Sequence, residues 1–197
     1  MKKLIIGVLL LAVVGLIAWK LLAGKDETPR EKQKPVALAE NTGPFNQSYA
    51  ELLEAYYGVK DALVASDTAK ASAAANHLIK TSDALKVNEI QGDSTGMIKE
   101  TAKSYTANIS TTAKVLADSK TLDDKRKQFE MIADAIWSLT RTVKYSGQKV
   151  YWQYCPMAFN DKGAYWMSKD SIILNPYFGN EMLHCGTVED SLDYSKK

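Results

Sequence analysis

Between residues 44 and 146 one spacing returns four times, and it leaves the chain little choice of architecture. Tyr49, Leu52, Tyr56, Val59 and Leu63 follow one another at intervals of three and four, which places them on a single stripe of a helix. Ala71, Ala74, Leu78 and Leu85, with Ala75 close by, predict a second helix over about 68–87. Its small inward residues invite close approach of its neighbours. Ile98, Ala102, Tyr105, Ile109, Thr112 and Leu116 mark a third, over 94–117, rich in Ser and Thr and so dependent on packing. Phe129, Ile132, Ile136, Leu139 and Val143, flanked by Trp137, mark a fourth. Between them stand Ser66-Asp67, Gly92-Asp93 and the stretch 121–124, all stop or cap signals. Short links between amphipathic helices turn each back along the last. The predicted fold is therefore mainly α, an up-down four-helix bundle.

What flanks the bundle differs at each end. Residues 1–24 carry Lys2, Lys3 and Lys20, no acid, and an apolar run from Leu4 to Trp19. About 20 such residues can span a bilayer, and no small-residue cleavage site closes the run. The expectation is one N-terminal membrane segment through residues 4–23, anchored in the inner membrane with the domain in the periplasm. A cleaved leader would give the same compartment. Setting those three lysines aside leaves 22 basic residues against 23 acidic, so no basic face speaks for nucleic acid. Residues 25–43 are charged, hold two prolines and read as a linker. The bundle domain with its lobe is expected over 44–188 and a polar tail over 189–197.

At Val150 the period changes. VYWQY alternates with β-branched and aromatic residues, Asn160-Asp161-Lys162-Gly163 is turn-forming, and 164–167 supplies a returning strand. The stretch 150–186 predicts a small C-terminal β/loop lobe. It holds both cysteines, three of the six methionines and one of the two histidines. Thiolate and thioether donors select Cu(I) or Ag(I), with imidazole tolerated. The candidate ligands are Cys155, Met157, Met167, Met182, His184 and Cys185. No Cys-x2-Cys and no paired His signals zinc. Three readings of the cysteines stay open: a structural Cys155–Cys185 disulfide, as an oxidising compartment favours, metal-ligating thiolates, or a redox-cycling pair. A Met is also ordinary core filler.

The runs YCPMAF-x-x-KGAYW and NPYFG-x-x-M-L-x-CG resemble an exported bacterial domain of unknown function. That domain stands alone behind an anchor or is fused to periplasmic adaptor subunits of heavy-metal (copper/silver) efflux pumps. The resemblance covers roughly residues 46–188. It implies export, a link to metal handling and a heavy-metal efflux pump component as partner. His184 falls outside its pattern.

Enzyme readings find no support in the residues. Two histidines give no Ser/His/Asp set, no Gly-rich phosphate loop appears, and Cys-x-x-Cys is absent. The expectation is a non-enzymatic, membrane-anchored periplasmic protein that binds Cu(I) or Ag(I). Its rival is a docking module for a protein or solute. There Tyr151, Trp152, Tyr154, Trp166, Tyr177 and Phe178 form the surface and a Cys155–Cys185 disulfide fixes its shape.

Overall fold

The computed structural model of the protein describes residues 41–195. The predicted membrane segment, most of the linker and the last two residues of the tail lie outside these. Among the described residues no helix is long and apolar enough to cross a membrane.

Four long helices follow: α1 Gly43–Val64, α2 Thr68–Asp83, α3 Met97–Asp118 and α4 Leu122–Val143. Each begins where the sequence offers a cap or a break. Thr42 accepts the Phe45 N–H, Asp67 accepts that of Lys70, and Thr121 accepts that of Asp124, satisfying donors that a helix start leaves unpaired. α3 instead starts from Gly96 in the left-handed conformation. The whole predicted stripe of α1 is buried, as is that of α4. In α2 the turn inward falls on Ala75 rather than Ala74, which is only half-buried. That helix also stops earlier than predicted. Leu85 and Val87 still bury, but from a connection carrying a 3-10 turn at Val87–Glu89.

The helices pack in chain order, each against the next. Three cations are buried among the described residues, Lys60, Lys125 and Arg126. Lys125 sends its ammonium to Ser72 Oγ (2.6 Å), Leu116 O (2.8 Å) and Ala117 O (3.4 Å). It thereby adds a charged donor to carbonyls in the last turn of α3, which also accept from the Ser119 N–H and the Ser72 hydroxyl. Between α1 and α4 the contact runs through large side chains. Tyr49 and Thr140 share a hydrogen bond of 2.8 Å, and Tyr56 stacks on Phe129 at 5.3 Å.

The lobe closes that seam. It is a three-stranded antiparallel sheet in the order β2-β1-β3, with β1 Val150–Cys155, β2 Ala164–Ser168 and β3 Thr187–Leu192. β1 and β2 form the predicted hairpin. β3 is a departure from expectation, since the polar run from 189 was expected to be a free tail. An edge strand needs only backbone pairing, and β3 pairs with β1 while its side chains stay mostly exposed. One sheet face meets α4: Trp152 stacks on Trp137 at 4.7 Å and Tyr165 on Trp152 at 5.3 Å. The Met167 N–H donates to Tyr56 Oη at 2.9 Å, which ties β2 to α1. Residues 169–186 cross the opposite face, where Gln153 Nε2 donates to the carbonyls of Asp170 and Ile172.

Candidate functional site

The hairpin turn that leaves β1 has an unusual backbone. In the turn Ala158–Asp161, Phe159, Asn160 and Asp161 all have positive φ (52°, 58° and 63°). Successive left-handed residues with side chains cost roughly 1–2 kcal/mol each, and such strain persists only where surroundings impose it. Gly163 ends the turn at φ +78°, where a Cβ would meet the Tyr154 hydroxyl at 2.0 Å. The turn holds Phe159, Asn160 and Asp161 at the rim of a cleft of about 600 Å³.

Opposite that rim lies the segment 175–186, organised by Asn175. This buried side chain accepts from the N–H groups of Tyr177 (2.8 Å) and Phe178 (3.3 Å), and its Nδ2 donates to Cys185 O at 2.8 Å. The Asn175 N–H also reaches Leu183 O at 2.8 Å. Arg126 of α4 holds the same segment from beneath, with Nε donating to Pro176 O at 3.0 Å and Nη2 to Ser66 Oγ at 3.3 Å. The sequence gives no sign of the Arg126 role, because its partners are a carbonyl and a serine far away in the chain. Asn175-Pro176 reads as turn chemistry, and a turn is what it makes; its hold on Cys185 comes only from the folded loop.

The six predicted soft donors sort into three places. Cys155, buried at the end of β1, and the half-buried Cys185 meet with sulfurs 3.0 Å apart, both as thiols. Their contact, then burial, pushes the Cys185 thiol up to about 11. Two metal–sulfur bonds of about 2.3 Å at 120° would hold the sulfurs roughly 4 Å apart, so a metal between them requires the pair to part by about 1 Å. Met157, 46 % exposed, and the half-buried Met182 line the cleft together with Phe159, Tyr177 and Phe178. Asp123, Asp161 and Glu181 face Arg126 and Lys127 there, a small surplus of carboxylate that suits a cation. Met167 is elsewhere. It is fully buried on β2, its Sδ 3.8 Å from Thr140 Oγ1, and serves as core filler. His184 is exposed, with Nδ1 2.9 Å from Ile173 O. Among the described residues no three or more His, Cys, Asp or Glu side chains gather into a metal-ligating group.

The aromatic set predicted as a docking surface is largely interior. Trp166 is fully buried, Trp152 and Tyr177 nearly so, and the Tyr177 hydroxyl donates to Tyr165 O. Tyr151, Tyr154 and Phe178 are half-buried, and of these three Phe178 alone lines the cleft, beside Tyr177. The rings bind the lobe to the bundle, because their area is needed to cover the α1/α4 seam.

Fold and site together describe a four-helix bundle carrying a sheet-and-loop lobe in which thioethers share an open cleft and two thiols touch. Residues 52–148, just under half of the chain, match the family described as "Protein of unknown function (DUF3347)". That span holds most of the bundle and ends two residues before β1. No curated protein and no solved structure matches the chain.

Proposed function

We propose that the chain is a carrier of soft monovalent metal, an exported accessory protein that takes Cu(I) or Ag(I) as cargo and passes it to a heavy-metal efflux component. The observation that supports this is the shared cleft: Met157 and Met182 line it together and it is open to solvent. Thioethers select Cu(I) and Ag(I) over harder ions, and a site with few donors and open access lets an incoming ligand displace them one at a time. The resemblance to domains fused to copper/silver efflux adaptors supports the same reading, with residues 4–23 as the inner-membrane anchor and the domain in the periplasm. Cys155 and Cys185 then set the shape of the cleft, since each shares a short segment with one of its methionines.

The test is titration of the full chain with Cu(I) against a chromophoric chelator, once reduced and once oxidised. The expected result is one-to-one binding in both states, weakened at least tenfold in M157A and in M182A. An absence of binding in both states overturns the reading and leaves the docking module.

A further inference from the structure

A thioether cleft has a supply problem in an oxidising compartment. Copper that arrives there as Cu(II) prefers nitrogen and oxygen donors to thioethers. The residues beside the cleft offer a way round this. The Cys155 and Cys185 sulfurs already touch at 3.0 Å, too close to share a metal and well placed to bond to each other. Cys185 is the partly open member, while Cys155 is fully buried. Next to Cys185 in the chain, exposed His184 has Nδ1 against Ile173 O at 2.9 Å. Donation from Nδ1 to that carbonyl leaves Nε2 as the free lone pair, the arrangement by which a second-shell carbonyl prepares an imidazole for a metal. Each cysteine is also within three residues of a cleft methionine, Cys155 of Met157 and Cys185 of Met182.

We infer that the Cys155–Cys185 pair reduces Cu(II) to Cu(I), with His184 as the landing ligand, and that the Met157–Met182 cleft receives the Cu(I) formed. This rests on the soft-metal reading above. Two Cu(II) ions take one electron each. Two S–H bonds break, one Sγ–Sγ bond forms, and two protons leave to solvent. Of the two Cu(I) ions made, the cleft keeps one. The reaction is stoichiometric: the pair is spent after two electrons, and two equivalents of an external thiol restore it by exchange.

The experiment adds Cu(II) sulfate to the reduced, full-length chain without oxygen and follows three quantities: loss of the Cu(II) paramagnetic signal, Cu(I) trapped by a chromophoric chelator, and remaining thiols. The expected outcome is two Cu(II) consumed and both thiols lost per chain, with no link between chains. C185S abolishes the consumption of two Cu(II) per chain. H184A, a change at an exposed side chain, raises the Cu(II) concentration for half-maximal rate at least tenfold. Wild-type chain that keeps its thiols in excess Cu(II), that oxidises only between chains, or whose Cu(II) dependence is unmoved in H184A overturns the inference. Cu(I) added directly separates the two readings. If it binds while the thiols survive Cu(II), only the inference falls; if it does not bind, the carrier reading falls with it.

Discussion

At the scale of single residues, the lobe depends on one amide. Asn175 makes three side-chain hydrogen bonds that fix Tyr177, Phe178 and Cys185, and substitution by Ala leaves the buried Tyr177 N–H and the Cys185 carbonyl without those partners. N175A should lose about 2–4 kcal/mol in denaturant unfolding, and thiol labelling of Cys185 should quicken as its segment loosens. A second effect at this scale concerns acid. The Lys70 backbone N–H, and then the Lys70 ammonium, hold the Asp67 carboxyl below its usual value. The hydrogen bond to the Thr121 hydroxyl does the same for Asp124. The unfolded chain binds these protons first as pH falls. Their contribution is therefore present above the unfolded carboxylate range, about pH 4, and is lost as pH drops through the lower folded values. Melting temperature should fall below about pH 4, and the D67A curve should be shallower there than wild type.

At the scale of elements, the sheet is joined to the bundle through a few contacts that cross long stretches of sequence. The Met167 N–H on β2 has the Tyr56 hydroxyl of α1 as its partner, buried and 111 residues away. Y56F keeps the ring that stacks on Phe129 but strands that N–H. It should cost about 1–3 kcal/mol, and hydrogen exchange should show the loss at β2 before it shows it in the helices. This is also where the sequence stops being informative. The four stripes name the core of α1 and α4 residue by residue, because a helix buries what its period dictates. β3 escapes notice, since an edge strand is specified by the backbone of its neighbour and not by its own side chains. The soft donors are legible as a set but not as an arrangement. Cys155 and Cys185 meet, and Met157 and Met182 share a cleft, whereas Met167 is committed to Thr140 and the core. Distances across 30 residues of loop are set by Asn175 and Arg126, whose roles have no periodic signature.

At the scale of the whole molecule, the two cysteines decide how firmly the lobe is held. Closing them fixes a loop of 30 residues, and in the chain-entropy account this stabilises the folded state by roughly 3–4 kcal/mol. Oxidised chain should therefore unfold at higher denaturant than reduced chain, with the difference removed in C155S/C185S. The bundle itself keeps its helical signal in both forms, because none of its contacts among α1, α2 and α3 runs through the loop.

The seam between α1 and α4 is covered by strands that arrive only after α4, across the six residues 144–149. Lys144 enters that strap in the left-handed conformation, at φ 50° and ψ 54°. The bundle is thus a socket, and the chain brings its own plug on a short cord. A socket recognises the shape and chemistry of a plug and not whose cord it hangs from. Two chains at close quarters can exchange lobes and conserve every lobe contact, with only the straps redrawn.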